Sequence, residues 1–591
     1  MTRIAVIEQD KCNSLGCGEF CIKKCPVNKM GKECIVLNEK KKAVISEQFC
    51  NGCNICTKCP YGAIHIINLP EKLKEDPIIR FRQNSFELFS LPLVKKDSIV
   101  GIIGRNGIGK TTSLQILSGT LKANLGKYDN PPENEEIVNK YSTKWMGEYF
   151  TKLFDHKIKV AYKPQRVELL AEMFEGVRVK DLLIKADERG IYKHLVSELD
   201  MDNILDRNVE ELSGGELQRV AIIATLCKNS EVIYFDEPSS FLDIMHRIKV
   251  AKLIREYSKG IATIVVEHDL ATLDYISDEI QIIYGEPACY GIVSNSKSVR
   301  RGINEYLDGY LADDNIRFRN YSIKFNESSA ERYIHQEILL EYPELEKKFE
   351  KFHLKIGGGS VHKGEVLTIM GGNGLGKTTF LKILAGELIS DRGKIHDLKI
   401  SYKPQYLNNK IEGTVESYLR SIGGDDFESG WYRQNILEKL GLKNILNNEI
   451  KYLSGGELQK VHIAACLSDA SANVIAMDEP SAFVDVEDRL KVAEIIKEFV
   501  MKREVCAIIV DHDIQFVDYL GDSMLVFEGE AGVDGHVIGP LNKIEGMNRI
   551  LKNLDITYRK DKITFRPRIN KEDSQLDVEQ KSKGNYYYIG N

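Results

Sequence analysis

The sequence predicts an α/β protein built from two homologous P-loop nucleotide-binding domains behind a small cysteine-rich domain. Three observations carry that expectation. The heptapeptide Leu-Ser-Gly-Gly-Glu-Leu-Gln at 212–218 returns letter for letter at 453–459, two stretches fit the P-loop pattern, and nine of the 13 cysteines fall within the first 59 residues. A repeated signature flanked by the same other motifs implies a duplicated domain.

Composition bounds the rest. A chain of 591 residues is long enough for three or four domains with substantial cores. A net charge of −6 announces no global polyanion binder, so any nucleic-acid contact must come from local patches. There is no run of 18 apolar residues and no signal-peptide core at the N-terminus, so the expectation is a soluble, cytoplasmic protein without a membrane partner, the nucleus being a second compartment.

In an intracellular protein the cysteine-rich segment, residues 1–75, points to metal rather than disulfides. The two runs are Cys12-x4-Cys17-x3-Cys21-x3-Cys25-Pro26 and Cys50-x2-Cys53-x2-Cys56-x2-Cys59-Pro60. Both resemble ferredoxin loops, in which three closely spaced thiolates hold one cube and the fourth, beside Pro, ligates the other. That resemblance implies a ferredoxin-like domain with two [4Fe–4S] clusters, one on Cys12, Cys17, Cys21 and Cys59, the other on Cys50, Cys53, Cys56 and Cys25. Zinc is the rival occupant. One departure weakens the place of Cys59: only Thr57 and Lys58 separate it from Cys56, one residue fewer than in ferredoxins. Cys34, Cys227, Cys289, Cys466 and Cys506 read as small buried residues.

Residues 68–80, with Pro70 and Pro77, form a linker into the first nucleotide-binding domain, residues 76–300; the second spans 336–545. The P-loops are Gly104, Arg105, Asn106, Gly107, Ile108, Gly109, Lys110, Thr111 and Thr112, and Gly371, Gly372, Asn373, Gly374, Leu375, Gly376, Lys377, Thr378 and Thr379. Each follows an apolar strand and opens a helix. The glycines let backbone N–H groups wrap phosphates, the lysine reaches the β and γ phosphates, and Thr111 or Thr378 is placed for Mg²⁺. Tyr-Lys-Pro-Gln then occurs twice, ending at Gln165 and Gln405. The Ser-Gly-Gly stretch follows, where Ser213 and Gly215, or Ser454 and Gly456, offer a hydroxyl, bare N–H groups and a helix N-terminus to a phosphate. A plain serine N-cap is the simpler alternative. Next an apolar strand ends in Asp236-Glu237 or Asp478-Glu479, the aspartate for Mg²⁺ through water and the glutamate to polarise the attacking water. Last come His268 and His512, each after a β-branched strand.

Spacing tests the repeat. Gln165 to Ser213 is 48 residues and Gln405 to Ser454 is 49; Asp236 to His268 is 32 and Asp478 to His512 is 34. Only Lys110 to Gln165, at 55, differs from Lys377 to Gln405, at 28, so the first copy carries an insertion at about 126–159. In this order the motifs resemble ATP-binding-cassette ATPase domains. The resemblance implies head-to-tail pairing within one monomer, Mg²⁺-dependent hydrolysis of ATP to ADP, and composite sites. One joins Lys110, Thr111, Gln165, Asp236, Glu237 and His268 to Ser454 and Gly456. The other joins Lys377, Thr378, Gln405, Asp478, Glu479 and His512 to Ser213 and Gly215. Gln165 and Gln405 count with Thr111 and Thr378 as metal ligands, and with the glutamates and histidines as catalytic residues.

Phe81 and Phe86 precede the first cassette and Phe349 and Phe352 the second. The family often stacks adenine on an aromatic there, against the alternative of core packing. In the insertion, Ile137, Tyr141, Trp145 and Tyr149 recur every four residues with Lys140, Lys144 and Lys152 interleaved. This predicts a helix or helix-loop-helix, its aromatic seam core and its lysines a candidate RNA contact. The segments 301–335 and 546–591 share a motif at an offset of 244, Gly302 against Gly546, and read as hinges; from Lys571 onward a charged surface tail is expected.

The whole order, with wording such as Val27-Asn28-Lys29-Met30-Gly31-Lys32 and Arg566-Pro567-Arg568-Ile569-Asn570, resembles eukaryotic-like members of the class E ATP-binding-cassette family, the ribosome-recycling or RNase L inhibitor family. That implies splitting of ribosomes into subunits with a release factor or its rescue paralogue, then residence on the small subunit, its ribosomal RNA and proteins, with initiation factors. Two other readings stand beside it: an ATP-coupled iron–sulfur electron donor, and another soluble twin-cassette translation ATPase, which would need no cysteine runs.

Overall fold

A computed structural model of the chain describes residues 3–68, 76–325, 337–395 and 399–587. Pro70 of the linker and the end of the segment between the cassettes, 326–335, lie outside the described residues. The chain divides into two units, 1–242 with 249–323, and 243–248 with 324–591.

In the first unit the thiol domain is framed by Arg3–Ile7 running antiparallel to Ile64–Asn68, with a hairpin of Ile35–Leu37 and Ala43–Ile45 beside it. Helix Pro26–Lys29 starts on a proline, whose missing N–H costs nothing at that position, and Cys25 is its N-cap. The core mixes apolar side chains with sulfur: Ala5, Ile7, Val27, Ile35 and Ile45 pack with Cys12, Cys21, Cys25 and Cys56. So small a domain has too few apolar residues to stand on them alone.

It is seated on the first cassette through Asn84, buried and in the left-handed region at φ 54°. Asn84 Oδ1 accepts from Ile45 N at 2.8 Å, Asn84 Nδ2 donates to the Ala5 carbonyl at 2.9 Å, and the Asn84 carbonyl accepts from Ile7 N at 2.8 Å. Asparagine tolerates this backbone better than other side-chain-bearing residues. Beside it Val6 packs on Cys289, and Arg80 pairs with Glu47 of the thiol domain and with Glu87 at 3.1 Å.

Each cassette is built on five parallel strands in the same spatial order. In the first they are Val160–Lys163, Val232–Asp236, Ala262–Val266, Ile99–Ile103 and Glu279–Glu286; in the second, Ile400–Lys403, Val474–Asp478, Cys506–Val510, Val366–Gly371 and Ser523–Glu528. The central strands are buried at every residue, which is why they read as continuous Val/Ile runs rather than alternating ones. The register sets Asp236 opposite Val266 and Asp478 opposite Val510, so the acidic strand end and the histidine strand stop at one level.

The insertion is a pair of helices, Asn134–Lys140 and Trp145–Phe154. Its seam is core: Ile137, Tyr141, Tyr149 and Phe150 are buried, and the Tyr149 hydroxyl donates to the Leu117 carbonyl and lies 2.6 Å from that of Tyr234. Lys140 pairs with Asp76 and Lys152 with Glu148, each at 2.6 Å.

After each cassette comes a helix, Val299–Asp308 or Lys543–Asn553, then a two-stranded ribbon. Arg319 donates to the carbonyls of Tyr306 and Leu307 at the end of the first helix, over the ring of Tyr306. Of the tail expected from Lys571 onward, residues 571–587 are described; most of them are exposed, as expected, but a helix anchors the segment through a few buried side chains. Helix Gln575–Ser582 buries Asp577 against the Thr557 hydroxyl (2.6 Å) and Gln580 against Asn570 (2.5 Å), and Tyr587 is buried beside Asp518. These polar groups satisfy one another, so burial leaves no apolar mark in the sequence. No helix among the described residues is long and apolar enough to cross a membrane.

Candidate functional site

In each cassette the P-loop lysine is folded back on its own loop. Lys110 Nζ donates to the carbonyls of Gly104 and Arg105 at 2.9 and 2.8 Å, and Lys377 Nζ to those of Gly371 and Gly372 at 3.0 and 2.6 Å. The loop turns through Gly107 and Gly109, φ 71° and 97°, and through Gly374 and Gly376, φ 76° and 92°. A Cβ on Gly109 would meet the Phe86 ring at 2.7 Å and one on Gly376 the Phe352 ring at 3.1 Å, so glycine is required twice over. Asn106 and Asn373 sit within the turns. Phe86 and Phe352 thus edge the loops, whereas Phe81 and Phe349 are half exposed.

Thr111 and Thr112, and Thr378 and Thr379, lie in the first turn of the following helices, Lys110–Leu117 and Lys377–Leu384. Thr378 Oγ1 donates to Asp478 Oδ2 at 2.6 Å, and Thr111 hydrogen-bonds Asp236 likewise. Burial, then the neighbouring Glu237, pushes the Asp236 carboxyl up to about 6, against the pull of Thr111; Asp478 is likewise raised, burial being the main cause. A divalent cation would supply the missing counter-charge, and a hydroxyl beside a carboxylate is the donor set Mg²⁺ takes.

Glu237 and Glu479 directly follow their strands and lie in the left-handed region, φ 50° and 48°, a sparsely populated backbone for a residue with a side chain. Gln165 Nε2 donates to Glu237 Oε1, and Gln405 Nε2 to Glu479 Oε1, both at 2.8 Å. His268 Nε2 lies 3.1 Å from Glu237 Oε1, and His512 Nε2 lies 3.5 Å from Glu479 Oε1. The structure therefore gathers glutamine, glutamate and histidine within each cassette. The amide nitrogens being spent on the glutamates, the amide oxygens remain for a metal.

The two carboxylates differ in electrostatics. Burial would raise Glu237, but the charge of His268 and its contact hold it below the usual carboxylate range. Burial, with Asp478 and Asp511 beside it, pushes Glu479 up to about 7, and burial together with Lys377 holds His512 well below its usual value. The residue before each histidine differs as well. Glu267 accepts from the N–H groups of Ser239, His268 and Asp269, while the shorter Asp511 reaches Ser481 and Asp513.

Ser213 and Ser454 are exposed N-caps of the helices Gly214–Leu226 and Gly455–Ser468, each in a capping box with Glu216 or Glu457. Gly215 and Gly456 stand in the first turns. The serine cap and the exposed helix N-terminus are both real, so the two readings of the signature are compatible.

Sequence reasoning missed three pairs. Gln218 and Gln459, the last letters of the repeated heptapeptide, donate to the carbonyls of Glu237 and Glu479 at 2.7 and 2.6 Å. Lys163 and Lys403, from Tyr-Lys-Pro-Gln, are buried and donate to the carbonyls of Asp236 and Asp478 at 2.9 and 2.7 Å. Burial, outweighing the nearby carboxylates, lowers each lysine to about 8. Phe241 and Phe483, at φ 63° and 61°, lay their rings against Gly214 and Gly455. Exact repetition was the available signal for the first two pairs.

In the thiol domain all nine cysteines are free. The thiols of Cys12, Cys17, Cys21 and Cys59 neighbour one another, and burial followed by those neighbours pushes Cys21 up to about 12. Cys25, Cys50, Cys53 and Cys56 line a single cavity together with Cys34. Ala43 N donates to Cys12 Sγ at 3.4 Å, a bond that suits a thiolate. Among the described residues no three His, Cys, Asp or Glu side chains converge on a single-ion site. Four cysteine thiols gathered at each of two places are the donor set that a [4Fe–4S] cluster takes.

The family described as ABC transporter matches residues 92–240 and 355–482. An uncharacterized ABC transporter ATP-binding protein of Methanocaldococcus jannaschii is 48% identical, over 99% of this chain and 98% of that one. The translation initiation factor RLI1 of Saccharomyces cerevisiae is 41% identical, over 100% of this chain and 99% of its own. Among solved structures, a model of ribosome-bound archaeal Pelota and ABCE1 superposes with a TM-score of 0.93 at 47% identity, covering 99% of both chains. A structure described as RNase-L Inhibitor gives 0.83 at 46%, covering 88% of this chain and 100% of that one. Twin cassettes, their paired Gln–Glu–His groups and full-length likeness to these relatives place the chain in class E of the ATP-binding-cassette proteins, as an ATPase of that family.

Proposed function

We propose that this chain is an ATP-driven ribosome-recycling factor: it splits post-termination or stalled ribosomes into subunits, together with a release factor or its rescue paralogue, and then stays on the small subunit alongside initiation factors. The compartment is the cytoplasm. The observation that carries the reading is the pair of intact Gln–Glu–His sites in a chain whose thiol domain is bound to the first cassette through Asn84. The full-length likeness to a ribosome-bound relative supports it.

In this reading each ATP lies between the P-loop of one cassette and the signature of the other, Lys110 and Thr111 facing Ser454 and Gly456, Lys377 and Thr378 facing Ser213 and Gly215. Lys110 and Lys377 give up their loop carbonyls to grip the β and γ phosphates. Thr111 and Asp236, or Thr378 and Asp478, with the oxygens of Gln165 or Gln405, would hold Mg²⁺, which when bound would supply positive charge beside the transferred phosphoryl. Glu237 and Glu479 polarise water; His268 and His512 contact the γ-phosphate; Phe86 and Phe352, with Phe81 and Phe349 near them in sequence, offer rings to adenine. To move the cassettes from about 1% to 99% closed, nucleotide and ribosome together must favour closure by about 5.5 kcal/mol. Closure then carries the thiol domain with the first cassette, its two [4Fe–4S] clusters, on Cys12, Cys17, Cys21 and Cys59 and on Cys25, Cys50, Cys53 and Cys56, serving as rigid cores.

The test is sedimentation of purified ribosomes with anaerobically prepared protein, a release factor, and ATP or a non-hydrolysable analogue. The expected result is subunits with ATP, and protein trapped on the small subunit by the analogue and by the Glu237→Gln/Glu479→Gln variant. Absence of both splitting and co-sedimentation, from protein that carries its clusters and hydrolyses ATP, would overturn the proposal in favour of an electron-donor role.

A further inference from the structure

The thiol domain holds nine cysteines where two cubes need eight, and the ninth is not placed at random. Cys34 is 2% exposed and lines the same cavity as Cys25, Cys50, Cys53 and Cys56. Its thiol meets those of Cys25 and Cys50 directly. The other site gathers the four thiols of Cys12, Cys17, Cys21 and Cys59.

Its position is fixed toward both partners by the backbone. Asn28 lies in the helix that Cys25 caps, and its Oδ1 accepts from Cys34 N at 3.0 Å and Ile35 N at 2.9 Å, while its Nδ2 donates to the Ile35 carbonyl at 2.7 Å. On the other side Ser46 N donates to the Cys34 carbonyl at 2.8 Å, and the Ser46 carbonyl accepts from Cys50 N at 2.9 Å. Asn28 thus ties Cys34 to Cys25, and Ser46 ties it to Cys50. These backbone bonds hold position 34 at the cavity, and the cysteine side chain there adds a fifth thiol to its lining.

We propose that Cys34 is a reserve ligand of the second cluster site, able to take the corner held by Cys25 or by Cys50. The proposal rests on reading residues 1–75 as a carrier of two clusters and adds a fifth thiol to one of them. The exchange is a simple ligand substitution. The Cys34 S–H gives its proton to solvent as the sulfur binds iron, the displaced thiolate takes one up, and no iron changes oxidation state.

The test uses the full chain, purified anaerobically, with iron and acid-labile sulfide counted and the dithionite-reduced protein examined by electron paramagnetic resonance. Wild type and Cys34→Ala should each hold about eight irons, two four-iron cubes. Cys25→Ala should also keep about eight, with an altered signal from one cube, whereas Cys25→Ala/Cys34→Ala and Cys53→Ala should each fall to about four. Cys25→Ala and Cys50→Ala both falling as far as Cys53→Ala would overturn the proposal. So would loss of a cube in Cys34→Ala alone, which would make Cys34 a primary ligand. A wild-type chain lacking one cube would instead remove the two-cluster reading, and the proposal with it.

Discussion

A hydrogen bond from Gln218 to the main-chain carbonyl of Glu237, repeated from Gln459 to Glu479, ties each signature helix to the strand end that carries the proposed base. A movement of the helix therefore reaches the carboxylate through one side chain. Replacing Gln218 by Leu keeps the volume roughly and removes the shortest hydrogen bond to a carbonyl that Lys163 Nζ, at 3.2 Å, and Ser240 N, at 3.4 Å, still reach, a loss of about 0.5–1.5 kcal/mol. In Gln218→Leu/Gln459→Leu, single-turnover hydrolysis should slow by about tenfold while equilibrium ATP binding holds, since 1.4 kcal/mol is about a factor of ten. Equal losses in binding and turnover would mean that the bond merely supports the fold. The letter-for-letter repeat marked both glutamines, but a repeat names the residue and not the atom it meets. Lys163 and Lys403 stayed hidden for the same reason, since their partners are main-chain carbonyls.

At the scale of elements, the thiol domain is attached through the side chain and backbone of Asn84. Asn84→Gly keeps the left-handed turn and the bond to Ile7 while deleting those to Ile45 and Ala5. Amide exchange at Ile45 should then speed up by about tenfold, with exchange in the central cassette strands unchanged. Unchanged protection at Ile45 would show that the apolar contact of Val6 with Cys289 is enough. None of this seam was legible beforehand. Asn84 and Ala5 are 79 residues apart, and a lone asparagine in a turn has no period to betray it. The insertion helices were legible because an aromatic every four residues is a local pattern. The C-terminal helix was not, because Asp577 and Gln580 are buried polar groups whose partners lie 20 and 10 residues upstream.

For the whole molecule, the ordered motifs and their spacings announced two equivalent cassettes, since phosphate loops must use glycine, lysine and hydroxyl at set intervals. The unequal environments of Glu237 and Glu479 were out of reach, since they arise from which buried carboxylates and cations neighbour them. Stability should also depend on pH through Glu87. Burial, only partly offset by Arg80 and aided by Glu47, raises its carboxyl from 4.5 to about 7. Between those values the folded chain keeps a proton that the unfolded chain has released. Stability from this group is therefore full near pH 4.5 and declines as pH rises through 7, by at most about 3 kcal/mol. Thermal unfolding followed from pH 5.5 to 8 should show that decline in wild type and a flatter profile in Glu87→Gln; parallel profiles would refute it. The oxygen that Gln165 and His268 share on Glu237 bears on the molecule at rest. Facing an amide hydrogen at 2.8 Å and an imidazole nitrogen at 3.1 Å, it is a poorer acceptor for a water proton than a bare carboxylate oxygen. If Glu237 is the base proposed above, whatever prises the glutamine away frees that oxygen and becomes the trigger that starts the clock.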